Sequence, residues 1–384
     1  MGRRKRVHAH LCGSNGGASD ALSKSGGYYV FVRRALGEFI GFTVGYLDWT
    51  TVVAATALIS MVVSDQLVKL FSASPDATTP VSIGLIVLLT ALNLGNARAT
   101  QTLHIGASVL KGIAFLLIVG GLGLTSAEAI HPTLPATAGS ATFGGLFLAF
   151  QAVIATYGGW ELSAYYAGET SSSRKVIPRA LYGSVIVIMT VYLSMTAVLM
   201  RVLTVDEIAS TPMPFTLGME RTLGSGGALP LSILMAIIMI SALASCILGA
   251  SRVLYALASD KLALASFART DQRGVPTCAL LVGAAFAILL IVSGTFGRIL
   301  SVLALFRVLN YLLCVVSVFA LRRNAPPNED VYRTPGHPWT TLIIGIVSGI
   351  FVVSSFVVDT HNSVLGICIA IIGTPVYFLA KRRQ

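Results

Sequence analysis

Long apolar segments alternate with short polar ones along almost the whole chain. Ten of them approach or exceed the roughly 20 residues that a transmembrane helix needs. They cover residues 37–63, 80–97, 104–124, 143–168, 180–203, 228–256, 276–295, 298–321, 338–358 and 363–380. The pattern predicts an all-α integral membrane protein with about ten transmembrane helices. We expect residues 21–384 to form a single transmembrane domain, because the polar connections are short, and residues 1–20 to form a disordered tail.

The segment at 143–168 differs from the others because its middle suits an uninterrupted helix poorly. It contains Thr156, Tyr157, Gly158, Gly159, Trp160 and Glu161. Gly in a helix interior costs about 1 kcal/mol relative to Ala, and a carboxylate at the membrane centre costs about 2.5–3.5 kcal/mol on insertion scales. Backbone opened at that depth persists only where protein buries it or where it lines a cavity. In secondary transporters such breaks form the substrate site, which is what this segment predicts.

Composition and the placement of charge support a membrane protein. Only 11% of the residues are charged, whereas soluble domains carry about 25%. If both termini are cytoplasmic, twenty of the 27 Lys and Arg residues fall on the inner side and four on the outer side, with three inside the spans. The positive-inside rule thus predicts a multi-pass protein of the cell membrane with both ends in the cytoplasm. Topology accounts for the net charge of +11, so no nucleic-acid partner is expected.

Residue types that mark enzymes and cofactor sites are not arranged for such roles. Four of the five Cys lie in apolar segments, the six His have no metal-ligand spacing, and no Ser/His/Asp or Walker-type arrangement occurs. We therefore expect a protein that is not an enzyme, with no catalytic residue, metal or cofactor. The basic N-terminus lacks the apolar core of a secretory signal.

Four ionisable side chains lie well inside apolar segments, where such residues are functional candidates by default. Lys111 either extends to the inner interface or gains and loses a proton during transport, because desolvation favours its neutral form. Glu161 either caps the opened helix end or binds a substrate amino group. Arg307 needs a counter-charge, for which Glu161 and Asp48 are candidates. Asp48 alternatively hydrogen-bonds a neighbouring helix.

The stretch SALASCILGASRVLYALASD, at 241–260, is rich in small residues. Small residues allow helices to pack closely in membranes. Ser241 and Ser245, one turn apart, would otherwise offer hydroxyl groups to a central cavity.

Four segments together resemble the amino acid permeases of the amino acid–polyamine–organocation superfamily. The sixth helix of that family and its following loop are similar to GGWELSAYYAGE with SSSRKVIPRAL. The eighth helix and its loop resemble GASRVLYALASDKLALASFARTDQRGVPTCALL. The link between helices ten and eleven is similar to LRRNAPPNEDVYRTPGHPWTTLI, and the entry to helix three to SKSGGYYVFVRRALGEFIGFTVGYLDW. The similarity runs from about Ser23 to the C-terminus.

The resemblance implies a fold of two inverted five-helix repeats plus two further helices. It implies an amino acid substrate bound between broken helices one and six, and alternating access driven by proton symport or by exchange. By position, residues 156–160 are the opened part of helix six. Lys111 falls where proton-coupled relatives carry a lysine in place of a sodium ion. Ala155 stands where several relatives place an aromatic gate, so it joins the predicted substrate-binding residues.

This chain departs from the family in the number of its spans. The family has twelve spans and ten are predicted here, and the resemblance begins just after helix two. The prediction is therefore a permease fold without helices one and two, whose first 20 or so residues are unlike the family. The alternative to an active transporter is a transport-inactive remnant or an assembly partner of another membrane protein.

Overall fold

The computed structural model describes residues 27–95, 106, 109–117, 119–120, 142–159, 173–211, 214–324 and 336–382. Within these ranges the chain consists of helices joined by turns and contains no strand, which confirms the all-α prediction. The predicted tail at 1–20 lies outside the described residues.

The helices differ widely in length. In chain order they are α1 (Gly27–Leu36), α2 (Glu38–Leu70), a 3₁₀ turn (Pro75–Ala77), α3 (Thr78–Gly95), α4 (Phe143–Thr156), α5 (Ser173–Val202), α6 (Val205–Ser210), α7 (Pro214–Leu223), α8 (Ser225–Ser259), a second 3₁₀ turn (Ala265–Ala268), α9 (Thr277–Ser293), α10 (Phe296–Asn324), α11 (Trp339–Val358) and α12 (Thr360–Arg382). Residues 109–117 are also helical. Among the described residues, seven helices are long and apolar enough to cross a membrane, and α4 and α9 are shorter apolar helices.

Helices α2 and α10 form the centre of the bundle. In their most apolar stretches 67% and 56% of the residues are buried, against 22–39% in the other long helices. Helix α2 packs against α3, α8, α9 and α10, and α10 also packs against α4, α11 and α12. A helix that is apolar on all sides is buried in this way, whereas the outer helices expose large apolar side chains to their surroundings.

The described helices overlap nine of the ten apolar segments, and the segment at 104–124 is described only in part. Helix α2 continues to Leu70, seven residues beyond the expected end at 63. Its last turns are polar, and Lys69 Nζ donates to Asp65 Oδ2 at 2.7 Å. Hydropathy therefore underestimates this helix, because its end is stabilised by an ion pair one turn apart.

Side chains from four helix ends meet in an ionic cluster at the edge predicted to be cytoplasmic. Arg33 of α1 contacts Glu38 of α2 at 2.6 Å and Asp260, just after α8, at 3.5 Å. Lys381 of α12 also pairs with Glu38, and the hydroxyl of Tyr29 donates to Asp260 at 3.2 Å. These five residues tie α1, α2, α8 and α12 together. Each pair is partly exposed, so it contributes about 0–1 kcal/mol.

On the opposite edge, the short helices α6 and α7 connect α5 to α8. A capping box begins α6, in which the backbone N–H of Glu207 donates to the Thr204 hydroxyl at 3.3 Å and the Glu207 carboxylate accepts from the backbone N–H of Thr204 at 2.8 Å. Arg221 of α7 donates to the same carboxylate and to the Val202 carbonyl. These bonds hold the pair of helices α6 and α7 against the end of α5.

Candidate substrate site

Helix α4 ends in the middle of its apolar segment. Its N-terminus is capped by Thr142, whose hydroxyl accepts from the Gly145 N–H at 3.2 Å. Its last residue is Thr156, and Gly159 lies at φ +103°, a conformation that side-chain-bearing residues rarely adopt. The glycine at 159 thus lets the chain leave the helical path at this point.

The last carbonyl groups of α4 accept hydrogen bonds from side chains of two other helices. Arg307 Nη1 of α10 donates to the carbonyls of Ile154 and Ala155, both at 3.0 Å. Tyr192 of α5 donates its hydroxyl to the Thr156 carbonyl at 3.4 Å. A helix end leaves its last carbonyls without intrahelical partners, and an unsatisfied group costs several kcal/mol in hydrocarbon. The break is therefore sustained by α5 and α10.

Arg307 is buried, with 6% of its surface exposed, and lies within the span of α10. The C-terminal end of a helix carries a partial negative charge, so the α4 terminus supplies part of the counter-charge that was predicted for Arg307. Asp48, one of the two predicted partners, is buried in α2, with 2% of its surface exposed. Glu161, the other predicted partner, lies outside the described residues. A backbone carbonyl leaves no mark in a sequence, which is why this contact was missed.

Gly158 is adjacent to the Arg307 guanidinium. A Cβ atom on Gly158 would lie closer than 3.0 Å to Nη1, Cζ and Nη2, a separation that real Cβ contacts essentially never show. The guanidinium thus occupies the space that a side chain at 158 would need. The two positions of the break require glycine for different reasons. Gly158 makes room for Arg307, and Gly159 allows the positive φ.

A cavity of about 310 Å³ lies beside the break, between α4, α5 and α10. It is lined by Val153, Ile154, Tyr157, Val185, Ile188 and Tyr311. The ring of Tyr157 also packs edge-to-face on that of Tyr192, with centroids 4.9 Å apart. Ligand cavities range from about 300 to 1,000 Å³, so this one suits a small molecule of amino acid size. Its walls are apolar and aromatic.

The other predicted site residues lie away from that lining. Lys111 is half-buried in the helix at 109–117. The Ser245 hydroxyl donates to the carbonyl of Ser241 in its own helix at 3.2 Å. Trp160, like Glu161, is outside the described residues. The structure therefore brings Ala155, Thr156, Tyr157, Gly158, Gly159 and Arg307 together at the α4 break.

A second cavity, of about 260 Å³, lies between α2, α9, α10 and α12. Its walls include Tyr46, Phe286 and Arg298 but none of the predicted site residues. Across the described residues no group of three or more His, Cys, Asp or Glu side chains is placed to hold a metal ion.

The class of the protein follows from two features together. Helices long enough to cross a membrane surround α4, which ends in the middle of its apolar segment, and a small apolar cavity lies beside that end. Such an arrangement is typical of multi-pass transporters, in which interrupted helices surround the substrate. The family model for the amino acid permeases matches residues 17–378. The chain belongs to the amino acid permease family.

Individual relatives agree with this assignment. The serine/threonine exchanger SteT of Bacillus subtilis (strain 168) is 25% identical over 381 residues, covering 94% of this chain and 83% of that protein. The uncharacterized transporter YdgF of the same organism is 27% identical, covering 91% and 78%. The aromatic amino acid transport protein AroP of Escherichia coli (strain K12) is 25% identical, covering 81% and 71%. The family resemblance read from the sequence is confirmed, and so is the prediction of a transporter rather than an enzyme.

Proposed function

We propose that this chain is a secondary active transporter that moves amino acids across the cell membrane by alternating access. The observation that supports the proposal most directly is the end of α4 at Thr156, with its carbonyls bound by Arg307 and Tyr192 beside a cavity of about 310 Å³. A bound substrate would contact the opened backbone and the lining side chains, and movement of the α4 end would change access to the cavity.

Residues of the break supply the proposed substrate contacts. Tyr157 already lines the cavity, and we propose that the backbone of Thr156 and Gly159 contributes further contacts. The segment that continues through Trp160 and Glu161 would complete the site, with the Glu161 carboxylate binding or tuning affinity for the amino group. Ala155, which stands where several relatives carry an aromatic gate, is included among the proposed substrate contacts.

Transport would be coupled to protons or to a second amino acid. Lys111 is the proposed proton carrier, since it is half-buried among apolar residues. We propose that Ser241 and Ser245 of α8 contribute hydroxyl groups to the substrate path. Both termini would lie in the cytoplasm, following the distribution of cations in the loops.

Uptake into proteoliposomes tests the proposal. The full chain would be reconstituted and offered labelled amino acids, beginning with serine, threonine and the aromatic amino acids named in the relatives. Uptake that needs an inward proton gradient would indicate symport, whereas uptake that needs unlabelled amino acid inside the vesicles would indicate exchange. Correctly folded protein that moves no amino acid of a full panel would contradict the proposal and favour the transport-inactive alternative.

A lysine substitution tests the coupling separately. Lys111→Ala is expected to abolish the response of uptake to the proton gradient, because no other group would carry the proton at that position. The matched control is Lys69→Ala, which removes an exposed lysine at the end of α2 and should leave the response intact. Full gradient dependence in Lys111→Ala would exclude the proton role.

A further inference from the structure

The C-terminal end of α4 is a place where a cation is expected. The aligned peptide dipoles leave about half a negative charge at this end of a helix, and hydrocarbon does not screen it. In transporters with interrupted helices, the carbonyls of such half-helix ends coordinate the coupling cations. Here the two neighbouring carbonyls of Ile154 and Ala155 both accept from one nitrogen of Arg307. A charged side chain thus stands where a free cation would otherwise bind.

The packing fixes this guanidinium in position. Gly158 provides the space that it fills. On the α10 side, Ala304 and Val308 flank the arginine and are at most 2% exposed, and they pack with Phe147 of α4. One and a half turns earlier, the Ser301 hydroxyl donates to Gln151 of α4 at 3.4 Å. The two helices are therefore joined around the arginine.

We propose that Arg307 is a tethered internal cation of the substrate site, which holds the α4 break in place and makes the site independent of a bound metal cation. An arginine side chain keeps its charge in proteins, so it acts as a constant charge and leaves proton exchange to another residue. Arg307 is in this sense a positioning residue for the transport reaction. The inference concerns the break itself and holds whichever amino acid is carried.

Thermal unfolding of the purified full chain tests this without any transported substrate. The wild type, Arg307→Ala and Arg307→Lys would be compared in choline, sodium and guanidinium chloride at equal, millimolar concentrations. Arg323→Ala is the matched control, because it removes an exposed arginine from the cytoplasmic end of the same helix. The wild type and this control should melt at the same temperature in all three salts.

The alanine variant should melt lower in choline, by about 5 °C, and should recover at least half of that drop in guanidinium or sodium, because the emptied carbonyl pair can then bind a free cation. The lysine variant should be intermediate and insensitive to the salt, since its ammonium keeps the charge but lacks the planar fork. A merely structural arginine would give a drop that no small cation reverses.

Three results would overturn the proposal: a wild type stabilised by sodium relative to choline, an alanine variant whose loss no cation restores, or a lysine variant no better than alanine. If the alanine variant does not fold, Arg307→Lys and Arg307→Gln are compared instead. A tethered cation predicts that the lysine variant folds and melts at a higher temperature than the glutamine variant. In proteoliposomes, exchange of sodium for choline should change wild-type uptake by less than about twofold. A wild type without measurable transport would contradict the proposed function but not the melting result.

Discussion

Replacing Gly158 by alanine should destabilise the protein by displacing Arg307. A Cβ atom added at Gly158 would lie closer than 3.0 Å to three atoms of the guanidinium, whereas ordinary van der Waals contacts are at least 3.4 Å long. The guanidinium must therefore move, and both of its 3.0 Å bonds to the α4 carbonyls would be lost. Hydrogen bonds to charged groups contribute about 1.5–3 kcal/mol each in soluble proteins, whereas side-chain bonds in membranes average about 0.6 kcal/mol. Two bonds thus give a loss of about 1–6 kcal/mol, and we expect about 3 kcal/mol.

A double-mutant cycle measures this loss and identifies its cause. Unfolding free energies would be determined for the wild type, Gly158→Ala, Arg307→Ala and the double variant. Because the overlap involves the guanidinium, Gly158→Ala should cost almost nothing once Arg307 is absent, which gives a coupling energy of about 3 kcal/mol. Gly183→Ala in α5 is the matched control, since a Cβ there meets no atom within 4 Å and alanine favours a helix by about 1 kcal/mol.

Two observations would refute this reasoning. One is a loss for Gly158→Ala that is the same with and without Arg307, which would place the cause in the α4 backbone. The other is a Gly158→Ala variant that loses no stability, as expected for Gly183→Ala, which would mean that the guanidinium moves without cost.

Three further substitutions test other parts of the structure. Hydrogen bonds from Arg221, then from the backbone N–H of Thr204, lower the pKa of Glu207 to about 2 from its ordinary 4.5. The stabilising contribution of this pair is therefore complete above pH 4.5 and is lost as the pH falls toward 2. Pepsin should cleave the α6–α7 region of Glu207→Gln faster than that of the wild type near pH 4.5, and the difference should shrink toward pH 2. Glu38→Gln should lower the melting temperature only at low salt, because its partly exposed pair with Lys381 is screened by ions; an equal shift in high salt would contradict this. Tyr157→Ala should raise the KM for an aromatic amino acid about 2–10-fold through loss of a ring contact worth about 0.5–1.5 kcal/mol, and an unchanged KM would remove Tyr157 from the site.

Hydropathy and glycine placement predicted the helical membrane architecture and drew attention to the segment that contains the break. They located the interruption through Gly158, Gly159 and the polar residues around them, because helix propensity is a local property. The same pattern did not distinguish the two glycines. Gly159 is required by its own positive backbone angle φ, whereas Gly158 is required by the side chain of Arg307, about 150 positions away in the sequence. Only the folded structure shows that these two residues are in contact.

Two other features of the structure were not predicted from the sequence, each for a different reason. The capping box from Thr204 to Glu207 is a recognisable sequence signature, and hydropathy alone passed over it because the segment lies between spans. The hydroxyl of Ser245, a predicted site residue, donates to the carbonyl of Ser241, as serine commonly does within a helix, and its role in the substrate path stays a prediction. A hydroxyl can satisfy itself locally, so the presence of serine in a span does not by itself indicate a polar cavity.

The position of the break is determined by α10 and α5 as much as by α4. Carbonyls released from a helix in hydrocarbon need donors, and here an arginine and a tyrosine supply them from two neighbouring helices. If α4 moved away from α10 during a transport cycle, the carbonyls of Ile154 and Ala155 would lose those donors together. Water, a cation or the substrate would then have to replace them. Opening of the site and entry of polar molecules are thus linked by the hydrogen-bonding requirement of the same two backbone groups.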